Sequence, residues 1–433
     1  MTDILLVQPP SPDPMREHVQ NTISCPPLGL GYIASVLIIC GFDLEIIDAD
    51  ILHIDAERLR SEIQRHDPKI VGISASTQTY KNALKVARIS KETNPEIKTV
   101  LGGPHVTFTF EECLSHPQVD IVVRNEGELT MLELCRLVLK KSIGRLEGIK
   151  GITYRENGKV ISNLARPLIH DLDALPFPAK HLLPLHLYKI PGNIITGRGC
   201  PGKCIFCAAA AMSGGAYRFR SAENVIAEMK TTIELFGIKF FFIVDDTFTV
   251  LPERTKVICH GLRKLSAELG SDIQWACESR VDTVSKGLLM EMAQAGCTGI
   301  QYGVESGSQR ILNSIRKAIT IEQIENAVRW ASEAGIGPVC SFMVPHPQDS
   351  RETINETKKL LMKLRRMGAL TVVGVTTPFP GTYLYTHSAD LGITLISNDT
   401  DEHNLVTPVI TTENLTVDEI REAYVDLTLA SKA

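Results

Sequence analysis

The chain has 433 residues, 44% of them hydrophobic and 22% charged, with a formal net charge of −5. This length predicts two or three domains of an ordinary globular protein. Scattered Lys and Arg with no basic block leave no footing for nucleic acid or an anionic membrane. The longest apolar run, residues 28–40, is too short and too glycine-interrupted to span a bilayer. The opening MTDILLVQPP runs straight into a strand-like segment without a signal peptide, so a cytoplasmic protein is expected. The 11 cysteines are odd in number and spread along the chain, which argues against a disulfide framework and leaves thiols free for metal.

In chain order, DILLVQ (3–8), DLEIID (43–48), KIVGIS (69–74), KTVLGG (98–103) and VDIVVR (119–124) read as strands. Their Val, Ile and Leu content suits strands buried on both faces of a parallel sheet. Helical patterns at 29–40, 54–66, 79–93 and 126–141 alternate with them, which predicts a doubly wound open sheet over residues 1–141. Ligands of such sheets bind beyond the carboxyl ends of the strands, here QPPSPD, SASTQTY, GGPHVTF and NEGE. In PPLGLGYIASVL, Gly29, Gly31 and Ala34 mimic a dinucleotide fingerprint, but about 20 residues separate them from the first strand, whereas the fingerprint must follow it at once. Close packing of a helix on the sheet is the better use for these glycines.

Residues 142–190 read as a connector: a hairpin, GITYRENGKVI, turning at Glu156-Asn157-Gly158, then a three-proline extended linker, DALPFPAKHLLPLHLY. A second strand–helix alternation fills 191–385. Its strands are GNIITGRG, KFFFIVDD, IQWACESR, GIQYGVE, GPVCSFMV and TVVGVTTPF, with helices at 221–236, 252–269, 284–295, 308–315, 321–334 and 350–367. Such repetition predicts a parallel barrel or part of one. Residues 386–433 hold one helix, at 416–430.

The segment TGRGCPGKCIFC gathers Cys200, Cys204 and Cys207 in a C-x3-C-x2-C spacing with no fourth cysteine nearby. Iron–sulfur clusters take thiolates, usually four. Three on one glycine-rich loop would leave one iron of a [4Fe–4S] cluster open to a ligand. Zinc with a distant fourth ligand is the other reading, although this spacing is not typical of zinc.

The segment GCPGKCIFC resembles the signature of radical S-adenosylmethionine (SAM) enzymes, including Phe206 before the third cysteine. That resemblance implies a partial (β/α)6 barrel over 191–385. In the family SAM chelates the open iron, and an electron cleaves it to methionine and a 5′-deoxyadenosyl radical. It also implies SAM contacts at Phe206, at Asp245 and Asp246 for the amino end, at Arg280 for the carboxylate or ribose, and at Glu305 and Ser306 in GIQYGVESGS for adenine and ribose. The segment SFMVPHP stands where the family often has Gly-x-Pro, which implies a further SAM contact at Pro345. Here Pro345 is followed by His346 and the glycine is missing.

The first half resembles the B12-binding domain fused ahead of one class of radical SAM enzymes, through PPLGLGYIA, GGPH and NEGE. This implies a Rossmann-like, flavodoxin-like fold with cobalamin across the strand ends. The implied contacts are Gln8, Pro9, Ser74, Ala75, Ser76, Thr77, Gln78, Tyr80, Gly102, Gly103, Pro104, His105, Val106, Asn125, Glu126, Gly127 and Glu128. The Asp-x-His-x-x-Gly pattern that supplies a histidine to cobalt is missing, so no histidine is expected below cobalt. Gln78 or Tyr80 is expected nearest its lower face. The alternative is a flavodoxin-like domain that binds nothing.

Together the two resemblances imply a cobalamin-dependent radical SAM C-methyltransferase. The radical would take hydrogen from an unreactive carbon and methylcobalamin would deliver methyl. An external ferredoxin- or flavodoxin-type donor would supply electrons. Alternatives are an oxidative cyclase or rearrangement enzyme with the same cofactors, a methylthiotransferase and a non-catalytic B12 sensor. A methylthiotransferase would need three further cluster cysteines in the first domain, and Cys25, Cys40, Cys113 and Cys135 do not resemble that set. The chain stops soon after the barrel, so an open barrel taking a peptide or protein segment is expected. A glutamine of methyl-coenzyme M reductase is the named candidate, and small molecules are the other class.

Overall fold

The computed structural model describes residues 2–12, 24–139 and 144–432. The chain divides into two compact units, Met1–Pro191 and Gly192–Ala433. The boundary expected at 141/142, and the last residues of the helix expected to reach 141, fall outside the described residues.

In the first unit, β1 (Ile4–Gln8), β2 (Leu44–Asp48), β3 (Ile70–Ser74), β4 (Lys98–Gly102) and β5 (Ile121–Val123) are parallel in the order 2-1-3-4-5. This is the doubly wound order expected from the sequence. Leu5, Val7, Val71, Leu101 and Val122 are buried, as in a sheet covered on both faces. The expected hairpin forms as β6 (Ile152–Glu156) and β7 (Lys159–Ser162) and continues the same sheet antiparallel to β5. Asn157 and Gly158 have φ of 51° and 76°, the left-handed pair that a two-residue turn requires. The proline-rich stretch after it packs on the helix Leu28–Ile39: Ala179 N–H donates to the Gly31 carbonyl at 3.0 Å, and the Ser35 hydroxyl to that of Phe177 at 2.6 Å. A Cβ on Gly31 would lie 3.0 Å from Pro178 Cβ, while one on Gly29 would meet nothing within 4 Å. Gly31 therefore admits this segment and not, as the sequence suggested, the sheet.

The second unit holds a six-stranded parallel sheet. Its strands are β8 (Asn193–Ile194), β11 (Phe240–Ile243), β12 (Gln274–Ser279), β13 (Cys297–Glu305), β14 (Gly337–Val344) and β15 (Leu370–Val375), adjacent in chain order. Between β8 and β11, β9 (Gly197–Arg198) and β10 (Arg218–Phe219) form a short antiparallel pair; β16 (Ile393–Leu395) and β17 (Ile410–Thr412) form another near the end. Burial alternates along β12 to β14. Trp275, Cys277, Tyr302, Cys340 and Phe342 are buried and belong to one core with helix residues such as Met229, Leu262 and Leu361. Ala276, Glu278, Gln301, Ser341 and Met343 line the opposite, half-open face. A one-sided parallel sheet of six βα units is the expected partial barrel. No helix among the described residues is long and apolar enough to cross a membrane.

Candidate functional site

The cysteine loop leaves β8 and is pinned at both ends. Thr196 donates to Asp245 through N–H and Oγ1, both at 2.6 Å, and Gly199 N–H donates to Asp246 Oδ2 at 3.1 Å. Across the top of the sheet, Ile205 N–H donates to the Ile315 carbonyl at 3.1 Å and Leu384 N–H to that of Ile205 at 2.8 Å. Gly199 has φ of 89°, and a Cβ there would lie 2.2 Å from the Ala216 carbonyl oxygen. The tight path needs glycine.

The thiols differ in surroundings. Cys200 Sγ lies 3.5 Å from Thr247 Oγ1 and accepts from Gly202 N–H at 3.3 Å; Cys207 Sγ, toward solvent, accepts from Ala209 N–H at 3.4 Å. Cys204 Sγ faces Arg280 Nη1 at 3.9 Å. Burial pushes the Cys204 thiol up, and the Lys317 and Arg280 charges pull it back down. Among the described residues no three His, Cys, Asp or Glu side chains are grouped to hold one metal ion. A zinc centre needs all its ligands on one ion. A cluster spreads its thiolates over separate irons, and three thiols on one loop with no fourth protein ligand suit a cluster with one open iron.

Lys317 and Glu305 form a buried ion pair, Nζ to Oε1 at 2.7 Å, with the ammonium 5.8 Å from the centre of the Phe206 ring. Glu305 holds φ of 68°, a strained value for a non-glycine residue, at the end of β13. A Cβ on Gly303 would lie 2.4 Å from Glu305 Oε1, so that glycine makes room for the pair. Arg280 is clamped by Asp282 through two hydrogen bonds of 2.9 Å and donates to the Lys317 carbonyl at 2.8 Å. Just past β14, Pro345 follows a cis peptide, and the fully buried His346 ring stands 6.1 Å from that of Phe206. Neither His346 ring nitrogen has a hydrogen-bond partner among the described residues. On the half-open face, burial and then Asp246 and Asp245 push the Glu278 carboxyl up.

Two residues expected at the SAM site turn away from it. Asp245 is fully buried with both carboxylate oxygens taken by Thr196, because neighbours at a strand end point to opposite sides. Asp246 faces out. The Ser306 hydroxyl is spent on Thr357 at 3.2 Å and on Ser308 N–H at 3.1 Å. Cys200, Cys204, Cys207, Phe206, Arg280 and Glu305 do come together. Lys317, His346, Thr196 and Glu278 were missed by the sequence reading. A single lysine in a stretch with two left-handed residues, Arg316 and Ala318 (φ 55° and 56°), gives no periodic signal.

In the first unit the loops at the carboxyl ends of β3 and β4 abut through backbone, and the loop after β5 joins them through Asn125 N–H, which donates to Thr107 Oγ1 at 2.9 Å. Ala75 N–H donates to the Gly102 carbonyl at 2.7 Å and His105 N–H to that of Ala75 at 3.2 Å. Gly103 has φ of 111°, and a Cβ there would lie 2.6 Å from the Ala75 carbonyl oxygen. Strand-like alternation leaves Ser74, Ser76 and Gln78 outward and turns Ala75 and Thr77 inward. Gln8, Gly102, Gly103, Pro104, Asn125 and Gly127 also keep open surface. Pro9, Val106 and Glu128 are buried, and Glu126 accepts from Ile169 N–H at 2.7 Å. His105 is buried with Nδ1 3.0 Å from Thr77 Oγ1 and its ring 4.2 Å from that of Tyr80, itself in the core. Tyr80 thus presents no surface to a corrin, contrary to the expectation for it, and neither do Ala75, Thr77, His105 and Val106. Gln78 remains available.

Residues 22–135 match the B12 binding domain model, and residues 194–361 match the Radical SAM superfamily model. The chain is 37% identical to a protein named an uncharacterized methyltransferase from Pyrococcus horikoshii, over 99% of this chain and 93% of that one. It is 30% identical to the anaerobic magnesium-protoporphyrin IX monomethyl ester cyclase of Rubrivivax gelatinosus, over 89% of this chain and 70% of the other. In fold it is similar to the radical S-adenosylmethionine methyltransferase TsrM from Kitasatospora setae, solved with cobalamin and a [4Fe–4S] cluster. The TM-score is 0.79 at 16% identity, covering 99% of this chain and 89% of that one.

Proposed function

The chain belongs to the radical SAM enzymes that carry a B12-binding domain, and from that premise we propose that it is a C-methyltransferase acting on an unactivated carbon. One observation carries this reading: a methyltransferase relative aligns with 99% of the chain, through both the cobalamin half and the cysteine-loop half. When bound, a cluster with SAM would supply hydrogen-abstracting radical chemistry, and cobalamin would supply the methyl group. The chain's own residues hold and orient. Cys200, Cys204 and Cys207 bind iron, and Asp245 fixes the start of their loop through Thr196. Phe206, Arg280, Asp246 and the Glu305–Lys317 pair form the polar and aromatic wall for SAM. Ser74, Ser76, Gln78, Gly102, Gly103 and Asn125 form the cobalamin surface.

The acceptor is a peptide or protein residue, with glutamine the first candidate. The open side of the sheet supports this: Leu370 and Val372 on its edge strand are 67% and 56% exposed and could receive an extended segment. The test is an anaerobic turnover with cobalamin, SAM, a reductant and glutamine peptides. Equal 5′-deoxyadenosine and S-adenosylhomocysteine are expected, with a methylated peptide by mass. Deoxyadenosine with product oxidised but not methylated would place the chain with its cyclase relative instead.

A further inference from the structure

A cavity of about 590 Å³ opens beside the cysteine loop, lined among others by Gly202, Lys203, Arg280, Asp282, Arg316 and Lys317. Of its eleven lining residues four are cations and one is an anion, in a chain whose net charge is −5. Arg280 and Lys317 are matched by Asp282 and Glu305. Lys203 and Arg316 are exposed and form no ion pair among the described residues. Arg316 is held in place, its guanidinium 4.3 Å from the centre of the Tyr383 ring. Gly202 is the thin point of the wall. A Cβ there would lie 3.2 Å from Cys200 Sγ, 3.4 Å from Arg280 Nη1 and 3.9 Å from Cys204 Sγ, so the Gly202 backbone runs directly against both thiols. Electron transfer weakens steeply with distance, and a partner seated over Gly202 comes as near the cluster ligands as this side of the loop allows.

We infer that the face over Gly202 is the docking surface for an acidic one-electron carrier protein, with Lys203 and Arg316 meeting its carboxylates. The inference rests on the reading of the loop as a cluster site. Its electron count closes. The anionic hydroquinone of a flavodoxin gives up one electron and becomes the neutral semiquinone. The cluster takes that electron, passing from the 2+ to the 1+ state, and no bond or proton is exchanged.

The experiment compares the reconstituted full-length chain with a Lys203→Glu/Arg316→Glu double variant, without substrate. Cluster bleaching is followed in stopped flow with flavodoxin hydroquinone and, separately, with the methyl viologen radical cation. Charge steering predicts reduction by flavodoxin at least about tenfold slower in the variant at low ionic strength, and a wild-type rate that falls with salt. Viologen should reduce both proteins alike. Calorimetric binding of oxidised flavodoxin to the unreduced chain should weaken by a similar factor. Unchanged flavodoxin kinetics, equal slowing with viologen, or flavodoxin binding left intact in the variant would each overturn the inference. A wild-type chain with no reducible cluster by electron paramagnetic resonance would instead overturn the cluster reading beneath it.

Discussion

The strand-end loops of the two units are built from different materials. In the first unit the loops after β3 and β4 are joined backbone to backbone, with small residues on the surface and His105 and Tyr80 packed underneath. In the second unit charged and polar side chains add to the backbone bonds of Ile205: Thr196 to Asp245, Arg280 to Asp282, Lys317 to Glu305. The first design suits a broad, flat ligand held by shape. The second suits a small charged cofactor and a cluster, where fixed charges must stand at fixed places.

The sharpest way to break this contrast is to remove the thiols. Replacing Cys200, Cys204 and Cys207 together by Ala should take bound iron and deoxyadenosine formation to background, while cobalamin retention stays at the wild-type level. Iron assay and cobalamin absorbance check both halves in one preparation. Loss of cobalamin as well would mean that the two loop systems are not independent.

A pH titration tests the side-chain design at Asp245. Burial pushes this carboxyl up to about 6, against the opposing pull of its Thr196 hydrogen bonds, while the unfolded value is about 3.9. The folded state therefore binds the proton more tightly. Between pH of about 4 and 6 this group makes stability fall as pH rises, by about 1.4 kcal/mol per unit and roughly 3 kcal/mol in all. Above that window its contribution is constant. Asp245→Asn should remove this slope from the unfolding free energy of the second unit, measured by denaturant titration at several pH values. An unchanged slope would mean that the carboxylate is not held as its geometry implies.

Gly103→Val probes the backbone design. A side chain there meets both the φ of 111° and the Ala75 carbonyl, at a cost of about 1–3 kcal/mol for the strained backbone alone. Cobalamin should be lost on gel filtration while iron content is kept. Retained cobalamin would show that the ligand does not lie on this junction.

The sequence was readable where one physical signal dominates. Val- and Ile-rich runs marked the parallel strands, Asn157-Gly158 marked the hairpin turn, and the cysteine spacing marked the loop. It was unreadable where the answer depends on which way a residue turns. Asp245 and Asp246 are identical in type and adjacent, yet only one faces out. SASTQTY reads as a uniform polar loop, but its alternation sends Thr77 and Tyr80 into the core. Lys317 gains its role only from folding next to Glu305, 12 residues earlier.

The smallest effect separates two glycines that look alike in PPLGLGYIA. Both lie in the helix Leu28–Ile39, where Gly costs up to about 1 kcal/mol relative to Ala. Gly29 is exposed with open space at its Cβ position, so Gly29→Ala should stabilise the first unit by roughly 0.5–1 kcal/mol. At Gly31 the same methyl would press on Pro178 at 3.0 Å and disturb the Ala179 hydrogen bond, so Gly31→Ala should destabilise by about 1 kcal/mol or more. Opposite signs in paired denaturant titrations are expected. Equal signs would mean that Gly31 does not hold the proline-rich segment, and its resemblance to a nucleotide fingerprint would need another cause.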